Sequence, residues 1–307
     1  MSMALNLHIG LPKCASTSLQ KLFLQQNHCH YVGKWLPKEK GTIYQNSFLE
    51  NLFRNTLPYA LEQHIHYPDI KKELTEYQSK YNSEQAPLLA SDELLSAYGF
   101  RNYRLNQFPD PLSIFMRLRK LFKPLKILLL IRNPLHFLRS YYKELVMFGY
   151  NIAFDVFARN QLMPGKLISV LDYFSYIQLI KKWCDELYVV PFEALIQQDE
   201  YAKRTLCEFS KIKLKTLPKT NSSALPEKVA QRFALNFQRA NNIGLWSSIK
   251  DLTATERLIF QNKPLVNPEH IYWLSPETEH EWQKATRLSN RKTAELIGLD
   301  LKPYGYT

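Results

Sequence analysis

Apolar residues recur along this chain in two rhythms. Short unbroken runs predict buried strands, and runs with a period near 3.6 residues predict amphipathic helices. Residues 6–9 make the first short strand, and from Ser18 onward Leu19, Leu22 and Phe23 share a helix face. Residues 87–91 make a second buried strand. Residues 126–131 give the strongest strand pattern, since five apolar residues follow Lys126 without a break. Such a run suits a parallel strand covered on both faces. Arg132 and Asn133 end it. Asn133 is a good N-cap and Pro134 a good first helical residue, and the helix continues through Leu138, Tyr141, Tyr142 and Leu145. A helix over 172–183, capped by Asp172, turns Phe174, Ile177 and Ile180 inward. A strand over 187–190, a turn over 191–195 and a helix over 201–209 follow. Pro226 opens another helix through Val229, Phe233 and Phe237, and two helical patterns cover 279–288 and 290–297, with Gly298 as the C-cap. Strands alternating with helices predict an α/β fold whose central sheet is mainly parallel and flanked by helices.

Other stretches carry weaker punctuation. Residues 31–33 fit a strand or a turn, and 46–57 place Phe48, Leu49, Leu52 and Phe53 on one helical face. His64 and His66 stand two apart in a polar stretch and read as loop histidines more than as a metal pair. The chain has 307 residues, enough for one sizeable domain, and no internal repeat. A single domain over 1–307 is expected, with 24–86 and 240–275 as acceptor-side or peripheral insertions.

Charge narrows the partners. Lys and Arg outnumber Asp and Glu by 40 to 28, a net +12 that attracts anions in general. Residues 99–126 hold Arg101, Arg104, Arg117, Arg119, Lys120, Lys123 and Lys126 against Asp110 alone. This is a solvated helix face or an anion-lined wall. No zinc finger, GXXG loop or RNP pattern accompanies it, so nucleic acid is not the expected partner. Four cysteines at 14, 29, 184 and 207 form no CxxC and no Cys/His cluster with zinc-finger spacing, so neither a disulfide framework nor a metal site is expected. No signal-peptide pattern and no run of eighteen apolar residues occurs. A cytoplasmic protein is expected, with peripheral membrane contact left open.

The candidate chemistry gathers where predicted strands end. Gly10, Leu11, Pro12, Lys13, Cys14, Ala15, Ser16 and Thr17 link the first strand to the helix that Ser18 opens. A strand, a compact loop and a helix N-terminus make an anion site, to which Lys13 adds a full charge and Thr17 and Ser18 add hydroxyls. The lysine comes three residues after the glycine and Cys14, not a hydroxyl residue, comes directly after it, so this is not a Walker A loop. Asp92 and Glu93 follow the strand ending at Ser91, where they suit either a ligand or a helix cap. Arg132 ends the strongest strand, and Ser140 lies two turns into the next helix. A phosphate bridging the two and an arginine paired with a carboxylate are both open. Lys219 and Asn221 fall in a basic, loop-like stretch.

His8-Ile9-Gly10-Leu11-Pro12-Lys13, with Thr17-Ser18-Leu19-Gln20, resembles the 5′-phosphosulfate loop of sulfotransferases that use 3′-phosphoadenosine 5′-phosphosulfate (PAPS). The likeness is to bacterial and carbohydrate-type members. Their usual Thr-Gly-Thr-Thr is Cys14-Ala15-Ser16-Thr17 here. Arg132-Asn133-Pro134 with Ser140-Tyr141-Tyr142 resembles the family's 3′-phosphate signature, with Phe137 where many members have arginine. Ser91-Asp92-Glu93 is similar to the segment whose glutamate meets the acceptor, and Lys219, Asn221 and Ser223 to one that closes over the nucleotide. The resemblance implies a P-loop-containing nucleotide-binding fold and a bacterial, cytoplasmic enzyme. It implies that Gly10, Pro12, Lys13, Cys14, Ala15, Ser16, Thr17 and Ser18 hold the 5′-phosphosulfate, and Arg132 and Ser140 the 3′-phosphate. Lys219 and Asn221 add nucleotide contacts, and Glu93, or Asp92 beside it, is the base. No metal is implied. The expected reaction is sulfuryl transfer from PAPS to a carbohydrate or glycan hydroxyl, releasing 3′-phosphoadenosine 5′-phosphate (PAP). The alternatives are a small-molecule or lipid alcohol as acceptor, a P-loop kinase, or a polyanion-binding module without catalysis.

Overall fold

Strand β1 (Met3–Gly10) stands in the middle of the main sheet, and the rest of that sheet is laid beside it. The computed structural model describes residues 3–11, 13–24, 30–31, 35–37, 43–45, 88–91, 111–147, 149–164, 166–212, 226–241 and 271–307. The expected helix over 46–57 and the His64 and His66 pair lie outside these residues. The other strands are β2 (His30–Tyr31), β3 (Trp35–Pro37), β4 (Ile43–Gln45), β5 (Leu88–Ser91), β6 (Phe122–Ile131) and β7 (Glu186–Pro191). The sheet order is β2-β5-β1-β6-β7, and every pairing in it is parallel, while β3 and β4 form a separate antiparallel pair. The α/β expectation, with its mainly parallel sheet, holds.

The helices are α1 (Ser16–Leu24), α2 (Pro111–Leu121), α3 (Pro134–Met147), α4 (Phe154–Gln161), α5 (Leu167–Val170), α6 (Tyr173–Lys181), α7 (Phe192–Ile196), α8 (Glu200–Ser210), α9 (Pro226–Asn241) and α10 (Pro276–Ile297). The chain divides into two compact units. The first comprises Met1–Asn133, Ser169–Asn221 and Leu288–Thr307, and the second Pro134–Ile168 and Ser222–Arg287.

The first unit is built on β1 and β6. Residues 5–10 and 127–131 are buried at every position, as parallel strands covered on both faces must be. Their register pairs Leu7 with Ile127 and Gly10 with Leu130, while Ile131 pairs with Pro191 on β7. The carboxyl ends of β1, β6 and β7 therefore line up along one edge, where open α/β sheets bind ligands. From β1 the chain fills one side of the sheet with β2 and β5, then crosses to the other with β6 and β7. In the described part of the basic stretch, Phe115, Leu118 and Leu121 of α2 are buried. Arg119 pairs with Asp185, and Lys126 with Glu186 at 2.6 Å. These two cations serve the packing of β6 rather than an open anion wall.

In the second unit, aromatic rings carry the packing. Tyr142 of α3 lies 4.9 Å from Phe154 and 5.4 Å from Phe157 of α4, measured between ring centroids. Asn236 of α9 donates to the carbonyls of Val146 and Tyr150, and Trp282 of α10 to that of Ala158.

Three boundaries differ from the sequence pattern. Helix α1 starts at Ser16, two residues early, because the Ala15 carbonyl already accepts from Ser18 and Leu19 N–H. The turn over 191–195 is the short helix α7. The two patterns near the end are one helix of 22 residues, α10. The polar residues at the expected break find tertiary partners, so they do not end the helix. Ser289 Oγ donates to Asp172 Oδ1 at 2.7 Å, and Asn290 Nδ2 to the Thr307 carbonyl at 2.9 Å.

His8 is wholly buried in β1. Its Nδ1 meets Ser91 Oγ at 2.8 Å, the same hydroxyl that receives Gln20 Nε2 at 3.1 Å. Its Nε2 has no partner among the described residues. Burial pushes the imidazole pKa down to about 3. The unfolded chain, with a pKa near 6.5, takes up the proton first, so stability falls as pH drops from about 6.5 towards 3. Lowering the pH from 7 to 5 should cost the native protein about 2 kcal/mol through this group alone. In denaturant titrations at the two pH values, His8→Gln should lack that part of the loss. An equal loss in both proteins would clear His8.

Candidate active site

The site begins with a close approach between strands. A Cβ built on Gly10 would lie 3.0 Å from Leu130 Cβ, so the last residue of β1 has almost no room for a side chain. Beyond it the chain turns sharply. Lys13 has φ 69° and Ala15 φ 65°, both left-handed, a conformation that costs an L-residue roughly 1–2 kcal/mol. Lys13 is exposed, Cys14 is buried beneath the loop, and α1 starts at Ser16. A helix start carries partial positive charge, because its first amides have no acceptor within the helix. Ser16 Oγ is buried with no partner among the described residues, which suits a site that receives an oxyanion.

Arg132 is the first residue after β6. Its Nη1 donates to the Lys13 carbonyl at 2.7 Å, and its guanidinium lies 4.4 Å from the centre of the Phe192 ring. Among the described residues no carboxylate pairs with it. Tyr173 holds its backbone from both sides, accepting from Arg132 N–H at 3.3 Å and donating to the Arg132 carbonyl at 2.6 Å. Burial pushes the Tyr173 phenol well above its ordinary pKa, so the hydroxyl stays a donor.

A buried carboxylate fixes the next residue. Glu193 Oε1 accepts from Asn133 N–H at 3.0 Å, and Oε2 from the Tyr306 hydroxyl at 3.2 Å. Asn133 Nδ2 donates to the Gly305 carbonyl at 2.6 Å. Glu193 therefore serves the structural role expected of it, holding a backbone amide and a phenol. Burial and the Glu193 carboxylate together raise the Tyr306 pKa well above its usual value.

Among the residues marked out by sequence, the first unit gathers Gly10, Lys13, Cys14, Ala15, Ser16, Thr17, Ser18 and Arg132. Ser140 is half-buried on α3 in the second unit, where Phe137 is buried and stacks on Tyr141, 6.0 Å between ring centroids. An arginine in place of Phe137 would put a charge into that packing. Pro12, Asp92, Glu93, Lys219 and Asn221 lie outside the described residues. The sequence pattern missed Tyr173, because Asp172 marked only a cap and Phe174 was taken as the inward ring. Tyr173 is buried, while Phe174 lies half-exposed with Lys292 Nζ 5.1 Å above it. Among the described residues, no three His, Cys, Asp or Glu side chains gather as a metal site, and no helix is long and apolar enough to cross a membrane.

A left-handed loop after β1 and an arginine after the neighbouring strand β6 thus stand side by side, and the chain belongs to the sulfotransferase family. The family's sulfotransferase domain matches residues 7–258. Among solved structures the chain is similar to a sulfotransferase from Alicyclobacillus acidocaldarius, with a TM-score of 0.55 and 14% identity over 97% of this chain and 98% of that one. At that identity the likeness shows the fold. Weaker likenesses are to the sulfotransferase domain from the curacin biosynthetic pathway (TM-score 0.40, 12% identity, 98% and 99% covered) and to mouse sulfotransferase SULT7A1 complexed with PAP (0.43, 12%, 96% and 87%). Among curated proteins none matches the sequence. The chain is accordingly an enzyme, a sulfotransferase that takes its sulfuryl group from PAPS and releases PAP.

The left-handed alanine gives a direct check on the loop. Glycine at position 15 would remove the strain at a smaller cost in unfolded-chain entropy. Ala15→Gly should stabilise the protein by about 0.5–1 kcal/mol. Thermal melting would show it, and a fall in melting temperature would mean that Ala15 is not strained.

Proposed function

We propose that Lys13 and the loop from Gly10 to Ser18 hold the 5′-phosphosulfate of PAPS, and that the sulfuryl group passes to an alcohol hydroxyl. The acceptor oxygen attacks sulfur, and the bond from sulfur to the 5′-phosphate oxygen breaks. PAP leaves with that oxygen and its electron pair, while the acceptor proton passes to a carboxylate. Charge builds on the leaving oxygen as the bond lengthens, and an ammonium and loop amides fixed beside it stabilise that change. The observation that carries this reading is the left-handed turn at the carboxyl end of β1. It bends the Lys13 backbone back at the start of α1 and leaves the side chain exposed.

The remaining roles rest on the motifs. Arg132 and Ser140 take the 3′-phosphate, and Lys219 and Asn221 cover the nucleotide. Glu93 is the base, with Asp92 as its rival. The family match runs from residue 7 to 258, and we keep 1–307 as one sulfotransferase domain with 24–86 and 240–275 as acceptor-side or peripheral insertions. Neither the family nor the fold match selects a glycan, so a small-molecule or lipid alcohol becomes the better-supported acceptor. Transfer of labelled sulfate from PAPS into a panel of small alcohols, lipid alcohols and glycans, read by mass spectrometry, identifies it.

PAP should bind much more tightly than ADP, because only PAP offers a 3′-phosphate to Arg132. The gap should shrink by roughly 1.5–3 kcal/mol in Arg132→Ala, the worth of a charged hydrogen bond. Calorimetry with both nucleotides decides this, and equal affinities in the native protein would sink the 3′-phosphate assignment.

Glu93→Gln should lower saturated turnover by roughly 10²–10⁴-fold, the range for a positioned base, and leave PAP affinity unchanged. Asp92→Asn should be milder. Inactivity of Asp92→Asn with an active Glu93→Gln would move the base one residue back.

A further inference from the structure

Lys13 combines a reactive task with an unfavourable backbone. Its left-handed φ of 69° persists only where surrounding groups impose it. One such group is visible, since Arg132 Nη1 holds the Lys13 carbonyl at 2.7 Å. A bond from a guanidinium is stronger than one between neutral groups, and it is directional. Its value depends on where the guanidinium sits, and two further side chains settle that. Phe192 supplies a flat surface 4.4 Å below it. The Tyr173 hydroxyl spans the Arg132 peptide groups, accepting from the amide and donating to the carbonyl. Tyr173 is itself immobilised as a buried first residue of α6, next to the cap made when Asp172 accepts from Ser175 N–H. An unbroken chain of contacts thus runs from α6 through the end of β6 to the bend of the loop.

We infer that Tyr173 is a positioning residue for the 5′-phosphosulfate loop, acting through Arg132 on the Lys13 carbonyl. Arg132 then serves both ends of the donor, with one nitrogen on the loop and the rest of the guanidinium free to meet a 3′-phosphate. This rests on the donor reading above. It also explains why a hydroxyl is needed at position 173. Phenylalanine would fill the same space but would leave the Arg132 amide and carbonyl without that partner.

The two ends of the donor can be probed separately. PAP carries both phosphates, AMP only the 5′ one and adenosine 3′-phosphate only the 3′ one. Calorimetric titration with these three ligands, on the native protein and on Tyr173→Phe, gives the contribution of each end without any acceptor. Tyr173 reaches the loop only through Arg132, so the two residues are tested together. For Tyr173→Phe the expected change is about tenfold weaker binding of PAP and AMP, as for one lost hydrogen bond, with adenosine 3′-phosphate also weakened because the same guanidinium meets it. Phe192→Leu should give the same pattern and serves as the second variant if Tyr173→Phe does not fold. Arg132→Ala should weaken all three ligands, and adding Tyr173→Phe to it should weaken AMP no further. Unchanged AMP affinity in Tyr173→Phe and Phe192→Leu would overturn the inference. So would a further loss of AMP binding, about tenfold, in the double variant, which marks a general disturbance of the fold. If the native protein binds PAP and AMP equally, the 3′-phosphate assignment fails, while the AMP measurements still decide the role of Tyr173.

Discussion

The contact of β1 with β6 at Gly10 and Leu130 is the constraint on which the rest depends. With only a hydrogen at position 10, the two strands run side by side to their carboxyl ends. The chain leaves β1 into the loop and leaves β6 at Arg132, so two segments far apart in sequence emerge next to each other. A guanidinium then spans the remaining distance to the Lys13 carbonyl. Without the close approach, the lysine and the arginine would still be present, but the arginine would not reach the lysine's carbonyl.

Beneath this pair lies a polar floor that is buried yet paired. A carboxylate taken out of water is costly unless its oxygens are met. The Glu193 oxygens each receive one donor, from the backbone after β6 and from a phenol near the end of the chain. The effect is to lock the first residues after β6, the helix after β7 and the segment around Gly305 into one arrangement. Tyr306 keeps its proton because burial and that carboxylate hold its pKa high, so the pairing keeps its donor near neutral pH. Rigidity below the loop lets strained residues above it stay strained.

Much of this was legible in the sequence because it rests on local signals. The apolar run before Arg132 marked β6, the glycine and lysine marked the anion loop, and Pro134 marked a helix start. Alanine stands where the resembled loop has glycine, which pointed to an altered turn, yet Ala15 takes the left-handed angle that glycine adopts without strain. What stayed hidden depends on distant partners. Nothing local told that Tyr173 rather than Phe174 turns inward, since both rings fit a buried face. Ser289 and Asn290 looked like a break between helices because their partners, Asp172 and Thr307, are 117 and 17 residues away. The acceptor is unread for a related reason. The carboxylates at 92 and 93 suit a base or a helix cap, and a hydroxyl has the same chemistry on many molecules.

The distances in sequence have a kinetic consequence. The bond from Arg132 to the loop closes 119 residues, that from Asn133 to Gly305 closes 172, and that from Tyr306 to Glu193 closes 113. Contacts that close such long stretches of chain are entropically costly and form late. While they are absent, the Lys13 carbonyl lacks its guanidinium donor, and the left-handed bend loses that constraint. The nascent strand and helix on either side can form early. The affinity for a nucleotide cannot, because it belongs to the finished topology. A partly folded molecule would carry the whole motif and still release its donor.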